Sequence, residues 1–164
     1  MAATPPYYLK EIKYMIKYNL EELVKHRRGM LLIDNLLFYN DRGVVVDVKI
    51  TKKTLFYNEG HVPVWIGVEY AAQAVAAWAG LQAKKNNEEP KLGLLLSCRK
   101  YKSTRAHFEL GETLTIYTKE EFNDGQIGSY NCDILDAEQK KVVTVSIMVY
   151  GTNDIISDIK EQRV

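Results

Sequence analysis

The chain has 164 residues, 46% of them hydrophobic and 26% charged, with a formal net charge of +1. That length suits one domain spanning 1–164, with a substantial core. So small a net charge gives no bulk argument for nucleic acid or a membrane surface, and two cysteines, Cys98 and Cys132, stand in no metal-ligand spacing.

The predicted elements begin with an N-terminal helical segment, 1–28. From Tyr8 to Val24, Ile12, Met15, Ile16, Leu20 and Leu23 recur at helical spacing. Met1 to Pro6 lacks the basic start and apolar middle of a leader. His26-Arg27-Arg28-Gly29 interrupts the helical pattern, and Met30 to Tyr39 is apolar and starts a sheet. Asn40-Asp41-Arg42-Gly43 is a turn signal. From Val44 to Thr51 the residues alternate, placing Val44, Val46, Val48 and Ile50 on one buried face.

A turn at Gly60-His61-Val62-Pro63 leads into a helix over 64–84 that is apolar on nearly every side. A helix of that kind must be enclosed by other structure. The apolar run from Val62 to Ala83 is about long enough to span a bilayer. Its central carboxylate costs roughly 2.5–3.5 kcal/mol on insertion, which favours a core helix and no transmembrane segment. A polar exit, Lys84 to Pro90, follows. Four strands are expected from Lys91 to Tyr101, Thr113 to Phe122, Gly128 to Leu135 and Lys141 to Tyr150, with hairpin turns between them and a polar tail over 152–164. Both cysteines fall inside strands, where free, buried thiols in a reducing cytoplasm are the expectation. The fold class is α+β. A curled antiparallel sheet wraps one long central helix of roughly 30 Å, which fills its concave face.

Glu69 is the chemically informative residue. An ionisable group on a core helix costs several kcal/mol unless something holds or uses it. Gln73, one turn on, shares its face and orients it. His61 stands eight residues before Glu69, at the mouth of the same turn. An acid and an imidazole so placed suggest acid–base chemistry. Two plainer readings stand beside it: Glu69 as an acid favoured by the helix N-terminus, and His61 as a structural histidine. No GxGxxG or Walker motif supports a nucleotide enzyme.

Three motifs carry a resemblance. Lys25-His26-Arg27-Arg28-Gly29-Met30-Leu31-Leu32-Ile33-Asp34 is similar to the Pro-His-Arg-x-x-hydrophobic-Leu-Leu-x-Asp signature of the hotdog-fold 3-hydroxyacyl-(acyl carrier protein) dehydratases. Gly60-His61-Val62-Pro63 resembles their Gly-His-Phe-Pro turn, and Glu69-Tyr70-Ala71-Ala72-Gln73 resembles the Glu-x-x-x-Gln that opens their central helix. The run from Val62 to Gln73 resembles most the hotdog dehydratases of aryl polyene clusters. One departure stands out: those enzymes separate the catalytic histidine from the helix carboxylate by about fourteen residues, and here the gap is eight.

The resemblance implies a hydro-lyase that removes water from a 3-hydroxyacyl thioester, in fatty acid or polyene-type biosynthesis. It implies no cofactor of the protein's own; the substrate arrives on the phosphopantetheine of an acyl carrier protein. His61 would be the base, Glu69 the acid, and backbone N–H groups around Val64 and Gly67 the oxyanion donors. Trp65 would line the acyl pocket. The resemblance also implies a homodimer whose two catalytic side chains come from different subunits. Arg99, Lys100, Lys102 and Arg105 form a basic run that either docks the acidic carrier protein or is a solvated strand end. In this first function His26 and Arg27 are read as anchors of the N-terminal segment. Two further functions share the architecture. A thioesterase would use the helix carboxylate to activate water. A non-catalytic acyl-binding subunit would fit the shortened turn.

Overall fold

A computed structural model describes residues 18–27 and 29–161. The elements in order are α1 (Leu20–Leu23), β1 (Asn35–Tyr39), β2 (Gly43–Lys49), β3 (His61–Pro63), a 3-10 turn (Val64–Ile66), α2 (Gly67–Lys85), β4 (Leu92–Ser103), β5 (His107–Glu109), β6 (Thr113–Asn123), β7 (Ile127–Leu135), β8 (Lys141–Thr152) and α3 (Ile155–Glu161). The expected N-terminal helices up to residue 17 lie outside the described residues. The expected polar tail contains the end of β8 and a short helix, α3.

Alternation explains the sheet. Val44, Val46, Val48 and Ile50 are at most 1% exposed, and β2 pairs antiparallel with β6 in a register that sets Val46 against Ile116. These side chains, with Ile116, Ile134, Val145 and Ile147, make the concave face on which α2 lies. Six strands run in the order β1-β2-β6-β7-β8-β4. The four strands after the helix therefore do not form one consecutive meander. Only β6, β7 and β8 do; β4 crosses to the far edge and pairs with β8 alone. Two bulges, at Leu96 and Arg99, interrupt that pairing. β3 and β5 form a separate two-stranded ribbon too short to carry a periodic signal.

On α2, Tyr70, Ala71, Ala74, Ala77, Trp78 and Leu81 are at most 1% exposed against the sheet and α1. The buried indole N–H of Trp78 donates to Glu120 Oε2 at 3.1 Å, as a buried donor requires. Gly80 has a steric reason: a Cβ there would sit 2.2 Å from the Leu23 carbonyl oxygen, so the glycine lets α1 close onto α2. The helix is not enclosed all round. Glu69, Ala72, Ala76, Ala79 and Gln82 form a stripe that its own sheet leaves incompletely covered. Beside that stripe, β4 keeps an unpaired edge and exposes Leu92, Leu95 and Leu96. Cys132 is buried as expected, and burial pushes its thiol up to about 12. Cys98, on β4, is exposed instead.

Candidate active site

Glu69 lies in the first turn of α2, where a carboxylate favours the helix dipole. Its side chain is 39% exposed within the chain, so it is not sunk in the core as its sequence context suggested. Gln73 lies one turn on and reaches Glu69 directly. It is fully buried; its amide nitrogen donates to Glu69 Oε1 at 2.8 Å and to the Met30 carbonyl at 2.7 Å. Its amide oxygen accepts from the Leu32 N–H at 2.7 Å. One side chain thus fixes one oxygen of the acid and ties residues 30–32 along the helix.

That tie brings a residue that sequence reasoning had placed elsewhere. His26 Nε2 stands 3.7 Å from Glu69 Oε1. The chain carrying His26 is held from two sides. Leu20 and Leu23 of α1 are buried, and the Arg27 guanidinium donates to the carbonyls of Glu21, Val24 and His26. The only signal for His26 in the sequence was its place in the family motif; no local periodicity connects it with Glu69.

His61 lies on β3, paired with Glu109 of β5, and its ring packs against that of His107 with centroids 3.9 Å apart and the planes tilted by 47°. Within one chain the structure therefore brings His26, not His61, to Glu69. His107, exposed on β5, is His61's ring partner.

The expected oxyanion donors are already used. The Val64 N–H donates to the Ala106 carbonyl at 2.9 Å, and the Gly67 N–H closes the 3-10 turn onto Val64 and Trp65. Neither is free to hold an oxyanion. Trp65 is 59% exposed and packs against Phe56, 5.8 Å between ring centroids, rather than lining the groove beside Glu69.

The basic run does not act as one patch. Arg105 is ion-paired with Glu112 at 2.6 Å, both side chains largely shielded. Lys100 and Lys102 lie opposite Ser146 and Thr144, while Tyr101 between them packs inward and donates to the Val64 carbonyl. The two lysines thus share the face of the sheet away from α2. Arg99 occupies a bulge.

A groove of about 360 Å³ runs from His26 and Glu69 along the uncovered stripe of α2. Ala72, Ala76 and Ala79 form its floor, and Leu92, Leu95 and Val149 its far wall. Lys25 and Lys91 are the cations on its lining. Its size is that of a small-ligand site, apolar with an acid and an imidazole at one end. Such a site suits an elongated apolar ligand with a polar end at Glu69. Among the described residues no three His, Cys, Asp or Glu side chains gather to hold a metal ion.

Solved structures share this architecture. The dehydratase heterocomplex ApeI:P from Xenorhabdus doucetiae matches with a TM-score of 0.81 and 25% identity, over 90% of this chain and 99% of that one. The Escherichia coli PaaI protein of the phenylacetic acid degradation operon matches at 0.58 and 20%, over 73% and 83%. A hypothetical thioesterase from Streptococcus pneumoniae, solved with coenzyme A, matches at 0.56 and 15%, over 79% and 88%. The last two show the hotdog fold alone. No curated protein matches the sequence. The family model for ApeP dehydratase matches residues 18–160, spanning the α1 anchor, the Glu69–Gln73 pair and the whole sheet, and the chain belongs to this ApeP-like family of hotdog dehydratases.

Proposed function

We propose that the chain removes water from a 3-hydroxyacyl thioester delivered on the phosphopantetheine arm of an acyl carrier protein, in aryl polyene-type biosynthesis. The observation that carries this reading is Glu69, fixed through one oxygen by Gln73 at the head of an apolar groove. Glu69 Oε2, which accepts no hydrogen bond from the described residues, is the oxygen left for a ligand. In its protonated form the carboxyl donates to the departing hydroxyl. The base that takes the proton next to the thioester carbonyl is His61 of a second subunit. Support for a second subunit comes from the unpaired β4 edge with its exposed leucines, a surface that folded proteins cover. The uncovered stripe bearing Glu69 adjoins that edge. A homodimer across β4 fits these features. The Xenorhabdus doucetiae protein is a dehydratase heterocomplex, which supports assembly with a second subunit.

Two measurements test this. Glu69→Gln should abolish formation of the enoyl thioester from a 3-hydroxyacyl thioester, read by its conjugated absorbance. No free thiol should be released by the wild-type chain; release of thiol without enoyl product would establish a thioesterase instead. Mixing chains carrying Glu69→Gln with chains carrying His61→Ala should restore about a quarter of wild-type activity, because half of the random dimers keep one intact site of two. No recovery, with each variant alone inactive and dimeric, would place both groups in one chain.

A further inference from the structure

Elimination leaves such a site in the wrong protonation state. The acid has lost a proton to the departing hydroxyl, and the base holds the proton taken from the carbon. The next turnover needs a reloaded acid, and Glu69 sits in a groove that an acyl chain fills. The structure places one imidazole at the end of that groove, beside Glu69 and open to solvent. His26 Nε2 is 3.7 Å from Glu69 Oε1, and the His26 side chain is 35% exposed. Its other ring nitrogen, Nδ1, is buried with no hydrogen-bond partner among the described residues, so Nε2 is the exchanging atom. The position is built rather than incidental. α1 is locked onto α2 at Gly80, Arg27 holds three carbonyls around the turn, and Gln73 fixes the same Glu69 oxygen that His26 faces.

We propose that His26 is a proton relay that reloads Glu69 from solvent between turnovers. This rests on the dehydratase reading above. As the C3–O bond breaks, the Glu69 carboxyl gives its proton to the leaving oxygen and water departs. The electrons of the broken Cα–H bond form the double bond, and the base receives that proton. The His26 imidazolium then passes its Nε2 proton to Glu69 Oε1 and recovers one from water, and a half-turn of the carboxyl exchanges its two oxygens, so that the protonated one faces the ligand and the other takes up the Gln73 bond. The base releases its own to water, so no net proton is consumed. At 3.7 Å the contact is longer than a hydrogen bond, and catalytic hydrogen bonds often tighten only in the complex with substrate. The other charged groups on the groove are Lys25, Glu88 and Lys91. His26 acts through Glu69 and is a positioning and relay residue rather than one that touches substrate.

The test uses the full chain in its assembled state and a 3-hydroxyacyl N-acetylcysteamine thioester. His26→Ala should lower kcat at least tenfold with little change in KM. Free imidazole in the buffer should restore turnover in proportion to its concentration, and substituted imidazoles should rank by their basicity. A merely structural role for His26 would not give that ranking. His26→Gln, which keeps a polar side chain of similar length, should be folded, slow and rescued likewise, and it is the variant read if the alanine chain fails to fold. Wild-type turnover in either variant, or a loss in a folded variant that no imidazole restores, overturns the relay. Glu69→Gln separates the two ideas: if it retains activity the dehydratase site itself is misassigned, whereas an inactive Glu69→Gln beside an unaffected His26→Ala removes the relay alone.

Discussion

Gln73→Leu is the sharpest probe of how this site is assembled. The amide makes three hydrogen bonds, all at 2.7–2.8 Å: one accepted from Leu32 N–H, one donated to Met30 O and one to Glu69 Oε1. Leucine has similar volume but no polar atoms, so the Leu32 donor and the Met30 acceptor lose their partner beside a fully buried position. Leaving a buried polar group unpaired costs about 1–3 kcal/mol. Both backbone groups are only partly buried, which places each near the low end, and the sum is about 2–3 kcal/mol. In a chain of this size each kcal/mol moves the melting temperature by about 2–4 °C, so a drop of about 4–12 °C is expected. Thermal unfolding followed by circular dichroism measures it. Amide exchange at Leu32 gives the local readout, and it should accelerate well beyond that of the β6–β7 core. Dehydration should fall as well, because Glu69 loses the donor that fixes Oε1. A variant that melts within a degree of wild type and keeps the Leu32 amide protected would show that residues 30–32 are held by something other than Gln73.

Two further outcomes follow from particular contacts. Gly80→Ala gains up to about 1 kcal/mol of helix propensity, but its methyl meets the Leu23 backbone, which cannot rotate aside, and overpacking costs about 1–3 kcal/mol. The net expectation is a lower melting temperature together with reduced turnover, since His26 lies in the segment that follows α1; a stabilised, fully active variant would refute the α1–α2 contact. Asp124 accepts backbone N–H bonds from Ile127 and Gln126 in the β6–β7 turn, which hold its carboxyl below the usual range. A depressed folded value means that the unfolded chain binds the proton more readily. The stabilisation is therefore present above the ordinary aspartate value, near pH 4, and is lost progressively below it, as pH falls through the lower folded value. Exchange of the Gln126 and Ile127 amides should accelerate on acidification below about pH 4, and Asp124→Asn, which keeps an acceptor without titrating, should flatten that dependence.

The alternation of Val44, Val46, Val48 and Ile50 determined one face of β2 by itself, because side chains two apart must share a side. The apolar run after Pro63 likewise determined the central helix, which begins three residues later than expected because a 3-10 turn precedes it. Glu69 and Gln73 were legible as a pair for the same reason, being one turn apart. What lies opposite each face was not legible. β4 reads like a hairpin partner of the next long strand, yet it crosses to β8, since local periodicity records burial and not the neighbour that provides it. The three-residue ribbon of β3 and β5 is too short for any period, so the ring contact between His61 and His107 had no sequence signal. The meeting of His26 with Glu69 belongs to tertiary structure alone. It depends on hydrogen bonds from Gln73 to backbone more than forty residues away and on a glycine that lets one short helix touch another. Such contacts are decided by the packing of distant segments, where no spacing rule within either segment can reach.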